Sequence, residues 1–436
     1  MKYLIGIRRE DKNKWERRVP LTPEHVRELI QKHSTEVWLQ PSPIRIFSDE
    51  EYIQVGAKIR EDLSLCPVVF GVKEMPLGFF QPQKTYVFFS HVIKGQDYNM
   101  PMLKRMLELR CQLIDYEKVV DEKKRRLIFF GKHAGIAGMI DTLWALGQRL
   151  CWEKIPNPFE RIKNAYKYKN LAEAKEEISQ VGGKIKADGL DKSLVPLICG
   201  ISGYGHVSHG VQEILDLLPI KEISPDEIFP LVKSAKYSKN HIYKVVFKEE
   251  HTVEPIFSAD DFKLQDYYDH PEKYRSKFET YIPHLSLFMN CIYWDKRYPK
   301  LVTKKYLKQL YAGKEKPRLR VIGDISCDIE GSVECNLKWT EPDKPIYVYD
   351  PFRDRAIDGH EGTGPVVLAV DNLPCEISKE ASIYFGQVLK PFIPEIVKAD
   401  FSVDFGQCNL PPPIKNAVIV YHGELTLNYQ YLKNFL

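Results

Sequence analysis

The sequence predicts an α/β fold in two domains, each built on a mostly parallel sheet, and three observations carry that expectation. Short apolar runs alternate with amphipathic helices through the first third of the chain, which is the rhythm of βαβ units. A strand, glycine-rich turn and helix, ICGISGYGHVSHG at Ile198–Gly210, lies mid-chain. At 436 residues, 44% hydrophobic and 28% charged, the chain is long enough to bury two substantial cores.

Taken in order, Tyr3–Ile7 reads as a strand. Thr22 can cap a helix with Pro23 at its first position, and Val26, Leu29 and Ile30 form its apolar face. Val68–Val72 and Tyr86–Phe89 are further strands, Met100–Leu109 a helix and Leu113–Tyr116 another strand. The spacing Ile136, Met139, Ile140, Leu143, Leu146, Leu150 makes one long helix. Residues 153–192 are polar and lysine-rich, with a helix over Leu171–Ile178 that reads as a solvated surface element. Leu194–Cys199 is an apolar strand running into the glycine turn, and Val207, Val211, Ile214, Leu215 and Leu218 face one side of the helix that follows. Strands at Ile220–Ile223, Ile242–Phe247, Arg318–Ile322 and Val366–Val370 continue the second domain, and a helix spans Lys379–Leu389.

The glycine turn defines the second domain chemically. Gly200, Gly203, Gly205 and Gly210 let backbone approach a pyrophosphate closely, with the positive end of a helix behind it. The spacing departs from G-x-G-x-x-G, because Ser208 stands where the third glycine is expected. A Rossmann-like nucleotide domain follows, and an ordinary tight turn is the plainer alternative. A net charge of +4 gives no basic patch for nucleic acid. No apolar run approaches the ~20 residues that span a bilayer, and the opening strand leaves no room for a signal or transit peptide. The nine cysteines are dispersed without a C-x-x-C pair, as expected of a reducing compartment, with no disulfide and no metal site.

In the first domain, candidate chemistry gathers at strand ends. Lys73 closes VVFGVK and is followed by Glu74; His91 lies just past YVFFS; Glu117 follows LIDY. A strand-end lysine in a cleft can act as acid or base once its pKa is lowered, and a histidine there can shuttle protons. Arg18 can clamp a carboxylate. Each residue alone has a plainer reading, as an exposed lysine, a structural histidine or a surface ion pair. Ligands bind at the carboxyl ends of strands in open α/β sheets, so one shared site accounts for all of them together.

The motifs GIRRE…WERRVPLTPEHV (6–26), GVKE (71–74), KTYVFFSHVIKGQ (84–96), LIDYEK (113–118), FGKHAGIAGMID (130–141), GYGHVSHGVQ (203–212), DYYDHPEKY (266–274), GDISCDIEGSVE (323–334) and VDNLPCEISKEAS (370–382) resemble the lysine-ketoglutarate reductase family. That family forms the N-terminal half of bifunctional aminoadipic semialdehyde synthase and, more distantly, is similar to alanine dehydrogenase and transhydrogenase. The resemblance implies two Rossmann-like domains with an interdomain active-site cleft: a substrate domain of residues 1–135 with 371–436, and an NADP-binding domain of residues 136–370. It implies condensation of L-lysine with 2-oxoglutarate and reduction of the imine by NADPH to saccharopine. Lys73 and His91 match the family's proton-handling pair, Arg18 its carboxylate-binding arginine, and Glu74 and Glu117 acidic residues near the substrate. Ser202, Gly203, Gly205, Val207 and Ser208 match the nucleotide loop; Asp371, Asn372 and Leu373 match the segment bordering the nicotinamide, and Asp324 a family aspartate. His206 and His209 depart from the family's loop.

Cofactor choice is read from the end of the second nucleotide-domain strand in sequence, Ile220–Ile223, where an NAD-specific fold wants a carboxylate. Ser224 stands there instead and can bond a 2′-phosphate, so NADPH is favoured. The implied partners are small molecules, with a separate or fused saccharopine-oxidising domain, no nucleic acid and no membrane. The implied location is the cytoplasm, or the mitochondrial matrix if a transit peptide has been removed. The competing readings are an NAD-linked, lysine-forming saccharopine dehydrogenase or alanine dehydrogenase, and a catalytically silent nucleotide-binding module.

Overall fold

The computed structural model describes residues 3–257 and 261–436. Its strands run, in chain order, β1 (Tyr3–Ile7), β2 (Thr35–Leu39), β3 (Lys58–Ile59), β4 (Val68–Phe70), β5 (Thr85–Phe88) and β6 (Gln112–Asp115). There follow β7 (Leu197–Ser202), β8 (Ile220–Glu222), β9 (Ile242–Phe247), β10 (Val253–Pro255), β11 (Tyr274–Ser276) and β12 (Leu287–Asn290). The last are β13 (Val321–Asp324), β14 (Ile346–Asp350), β15 (Arg355–Asp358), β16 (Val366–Leu368), β17 (Val418–Tyr421) and β18 (Glu424–Leu425). The chain divides into two compact units, one comprising residues up to 130 together with 378–436, the other residues 131–377.

The first unit is an eight-stranded sheet in the order β18-β17-β6-β5-β4-β1-β2-β3. Strands β1 to β6 pair in parallel, and β17 joins antiparallel to β6. From β1 the chain winds outward through β2 and β3, then returns to β4 on the other side, so the switch point lies between β1 and β4. The helix α1 (Pro23–His33) starts at Thr22 with proline at its first position and buries Val26 and Leu29. The core also takes in Phe385 and Leu389 of the helix Ser378–Leu389. These C-terminal elements are thereby part of the first fold.

The second unit has an eight-stranded sheet in the order β15-β14-β16-β13-β12-β7-β9-β8, with β14 and β15 as an antiparallel edge. Its switch point lies between β7 and β12, and β9 rather than β8 is the neighbour of β7. Strand β10 pairs with β11 as a small separate two-stranded antiparallel sheet. The long helix foreseen from Ile136 begins earlier, at Gly131, and runs to Trp152 as α2. It crosses α3 (His206–Leu215) at backbone contact: a Cβ on Gly135 would stand 2.0 Å from the Val207 carbonyl oxygen, and one on Gly210 2.0 Å from that of Lys132. No larger residue fits at that crossing.

Residues 153–192 are not the solvated surface expected. A helix at Leu171–Asp188 buries Ala174, Ile178, Val181 and Ile185 in the same core as α2 and β7. Its apolar positions are sparse among lysines and glutamates, and a narrow buried stripe on a charged helix is easily read as wholly exposed. Among the described residues, no helix is long and apolar enough to cross a membrane.

Candidate active site

In the first unit, ionisable side chains collect where β1, β4, β5 and β6 end. Strand β4 stops at Phe70, so Lys73 stands in a turn beyond the strand end and does not close it; His91 likewise follows β5 by a short extended stretch. The turn after β4 is held by Glu10, whose two carboxylate oxygens accept the N–H groups of Val72 at 2.7 Å and Lys73 at 3.0 Å. Burial pushes the Glu10 carboxyl up to about 7, with the Glu16 charge adding to the rise and the two amide bonds opposing it.

Lys73 has no hydrogen-bond acceptor for its ammonium among the described residues. Burial lowers its pKa from the ordinary lysine value, helped by the Arg18 charge and opposed by Glu16 and Glu74. The neighbouring Glu74 accepts from or shares a proton with His91 Nδ1 at 2.6 Å and pairs with Lys12 at 3.0 Å. Burial alone would raise the Glu74 carboxyl, but the His91 hydrogen bond and charge, with Lys12, hold it well below the usual carboxylate range. His91 adopts a left-handed backbone, φ 50°, and its ring stacks on Phe89. A non-glycine residue in that region is uncommon and costs of order 1–3 kcal/mol, a conformation concentrated at functional sites. The Glu74 bond occupies Nδ1 as donor, leaving Nε2 as the ring nitrogen open to proton exchange.

Asp115, buried at the end of β6, accepts from the Ser90 hydroxyl and from the Glu117 N–H at 2.7 Å. Burial pushes it up to about 6 against the Ser90 bond. Glu117 lies in the turn after β6 with Arg126 3.5 Å away. Arg18 is not an open clamp. Its Nε donates to Glu16 Oε1 at 2.7 Å and a second nitrogen to Glu16 Oε2, while the guanidinium lies 4.3 Å over the Phe130 ring. One forked edge is therefore already committed to a buried carboxylate. Glu74 also borders an open depression of about 430 Å³ lined by Asp11, Lys12, Tyr98 and Asn99.

In the second unit, Gly203 closes β7 with φ +86°, a conformation that favours glycine. A Cβ there would stand 3.2 Å from the Cys291 carbonyl oxygen, whereas Gly205 faces open space. Gly205 is the N-cap of α3 and brings no side-chain acceptor. A cavity of about 400 Å³ opens beside this turn, lined by Gly203, Gly205, Lys248, Tyr268, Ile292 and Tyr293 among others. Open backbone, an uncapped helix N-terminus and an adjoining cavity fit a dinucleotide.

The other expected nucleotide residues divide by role. Ser202 is fully buried, its hydroxyl donating to Asn290 Oδ1 at 3.0 Å. Asn290 in turn donates to Asp324 Oδ1 and to Ser332 at 2.8 Å each, and Asn336 donates to Asp324 Oδ2 at 2.8 Å. Asp324 is thus a saturated acceptor beneath the strand ends, raised to about 6 by burial. Ser208 is buried and accepts from Gln212, and the Val207 carbonyl faces Gly135 at the helix crossing. Leu373 packs near Gly138 of α2, and Asp371 and Asn372 form the turn before it.

Ser224 is engaged within its own turn. Its N–H and hydroxyl both donate to Glu227, at 2.7 and 3.0 Å, so it caps the short helix that follows. It also follows β8, which is separated from β7 by β9. The second strand in sequence is not the second in space. Sequence reasoning missed Glu10, Glu16 and Asp115 in the first unit and Lys248, Asn290 and Asn336 in the second. Glu10 and Glu16 flank the turn that precedes Arg17 and Arg18, which was their only signal.

These are the marks of a two-domain, doubly wound α/β protein with a glycine turn that fits a nucleotide. The alanine dehydrogenase/PNT N-terminal domain model matches residues 6–137 and the C-terminal domain model residues 248–428. The chain belongs to the alanine dehydrogenase/PNT family. It is 38% identical to alpha-aminoadipic semialdehyde synthase of Arabidopsis thaliana over 98% of this chain and 41% of that protein. With the mitochondrial alpha-aminoadipic semialdehyde synthase of Bos taurus the identity is 34%, over 99% of this chain and 48% of the relative. The chain therefore spans about half the length of these relatives. Saccharopine dehydrogenase (NAD(+), L-lysine-forming) of Yarrowia lipolytica is 26% identical over 88% of this chain and 90% of its own length. Among solved structures, an L-alanine dehydrogenase matches with TM-score 0.63 at 18% identity, covering 99% of this chain and all of that one. A transhydrogenase from Sinorhizobium meliloti matches with TM-score 0.56 at 13% identity, over 97% and 98% of the two chains. The family and its dehydrogenase members indicate a nicotinamide nucleotide as cofactor.

Proposed function

We propose that this chain is an oxidoreductase of lysine breakdown that condenses L-lysine with 2-oxoglutarate and, with NADPH, yields saccharopine. The observation that carries the reading is the half-buried Lys73, its pKa lowered by desolvation, beside the Glu74–His91 pair. The relatives' names, semialdehyde synthase and saccharopine dehydrogenase, supply the substrate class. In this reading the unit bearing Lys73 is the substrate domain and the unit bearing the glycine turn is the nucleotide domain.

Burial favours neutral Lys73, which takes a proton from the substrate ε-ammonium and so frees the amine to attack the ketone carbon. His91, held through Nδ1 by Glu74, presents Nε2 to protonate the carbinolamine hydroxyl, which leaves as water. Bound NADPH supplies the hydride that reduces the resulting imine. Glu117 and Glu74 provide negative charge for the amino groups of lysine, and Arg18, bridged to Glu16, meets a substrate carboxylate. Ser202, Asn290 and Asp324 shape the floor under the nucleotide. A saccharopine-oxidising partner domain, and a cytoplasmic or mitochondrial-matrix location, accompany this function.

Initial rates of reduced-nicotinamide consumption test it. Lysine with 2-oxoglutarate should turn over, and ammonia with pyruvate should not. Turnover with the second pair alone would assign the chain to alanine dehydrogenase chemistry. No turnover with either pair, alongside tight nucleotide binding, would make it a silent nucleotide-binding module.

A further inference from the structure

The sheet order moves the determinant of cofactor choice. In a doubly wound sheet the strand beside the glycine-turn strand delivers its carboxyl end to the adenosine ribose, and the side chains there tell a 2′-hydroxyl from a 2′-phosphate. The neighbour of β7 is β9, paired from Leu197↔Ile242 to Ser202↔Phe247, and the Gly203 N–H donates to the Phe247 carbonyl at 2.9 Å. The residues that reach the ribose position are therefore Lys248 and Glu249. Both line the cavity that Gly203 and Gly205 also line.

The two side chains are not equivalent. Glu249 accepts from the Tyr268 hydroxyl at 2.7 Å, and its charge, after burial, also raises the Tyr204 hydroxyl across the glycine turn. Its carboxylate is thus engaged by aromatic hydroxyls of the cavity wall, which compete with a ribose hydroxyl for it. Lys248 is exposed, and its ammonium has no ion pair or hydrogen bond among the described residues. A dianionic phosphate ester at the ribose gains a charge-assisted hydrogen bond there that a bare hydroxyl does not.

We propose that Lys248 is the receptor for the 2′-phosphate of NADPH, with Tyr268 holding Glu249 away from the ribose, and that Ser224 takes no part in the choice. The inference rests on the nucleotide-domain reading above. It identifies the discriminating group by its place beside β7, where sequence order had pointed to β8.

The test is equilibrium binding to the intact chain, by calorimetry or quenching of protein fluorescence, with 2′,5′-ADP and 5′-AMP as probes and NADPH and NADH alongside. For the unaltered protein, 2′,5′-ADP should bind more tightly than 5′-AMP. Lys248→Met should weaken 2′,5′-ADP and NADPH about tenfold, the usual size of one hydrogen bond to a charged group, and change 5′-AMP and NADH less than about twofold. Lys248→Arg should retain most of the preference. Ser224→Ala should leave the ratio unchanged. Equal loss for both probes with Lys248→Met, or an unchanged ratio, overturns the assignment while leaving the nucleotide site intact. A ratio that collapses in Ser224→Ala restores the earlier position and likewise overturns it. Failure of the unaltered, folded protein to bind any of the four ligands removes the nucleotide-domain reading itself, and the inference with it.

Discussion

Two polar clusters stand at the carboxyl ends of the two sheets, and they are built on opposite principles. At the ends of β1, β4, β5 and β6, charged groups are brought together with their needs only partly met. Lys73 has a lowered pKa and no acceptor, Glu10 is pushed up to about 7, and His91 takes a left-handed backbone beside Glu74. At the ends of β7, β12 and β13, one carboxylate is surrounded by neutral donors. Asp324 receives Asn290, Asn336 and the Cys327 N–H, and Ser202 and Ser332 complete the set. The first arrangement leaves ionisable groups open to a substrate; the second makes a hydrogen-bonded floor. Location at a strand end marks a site, and the degree to which polar groups are satisfied separates chemistry from scaffolding.

The contrast is open to direct attack. Lys73→Met and His91→Gln should each lower kcat by ~10²–10⁴, the size of an acid–base contribution, with nucleotide affinity unchanged, because their groups belong to the first cluster. Near-normal turnover in both variants would place the reaction elsewhere.

Arg18→Ala should show that even the reactive cluster contains a structural pair. Removing one partner of the buried Glu16–Arg18 bridge strands a charge, at a cost of about 3–5 kcal/mol. Loss of unfolding free energy, measured in urea, should therefore accompany any rise in KM for the keto acid. A large KM effect without loss of stability would mean that the guanidinium acts chiefly on substrate.

Asp324→Asn should cost about 1–3 kcal/mol, because an amide N–H then faces a donor from Asn290 or Asn336. Its effect on kcat should follow stability alone. A rate loss in fully folded Asp324→Asn would move this aspartate into the chemistry.

A further effect concerns pH. The folded-state pKa of Glu10, about 7, lies above its ordinary value of 4.5, so the folded protein holds this proton more tightly. Its stabilisation is complete below about 4.5 and is lost as pH rises through about 7. Glu10→Gln should flatten the fall in stability between about pH 5 and about pH 8 relative to the unaltered chain. An unchanged slope would mean that Glu10 is ionised throughout.

Much of this protein was legible in its sequence, because it rests on local chemistry. The alternation of apolar runs and helical faces announced parallel α/β sheets. The glycines between β7 and α3 marked a close-approach turn, and the run after β4 and β5 placed Lys73, Glu74 and His91 together. What the sequence could not disclose depends on contacts between distant segments. Glu10 secures the Lys73 turn from 62 and 63 positions away. Asn290 meets Ser202 across 88 positions, with nothing in either segment to announce the other. The apolar stripe of the charged helix Leu171–Asp188 is buried only because α2 and the turn after α3 are there to cover it. Order along the chain likewise named β8 as the partner of β7, and pairing in space chose β9. Periodicity and turn chemistry are properties of a few consecutive residues, whereas strand order and burial are settled by which surfaces meet when the whole chain packs.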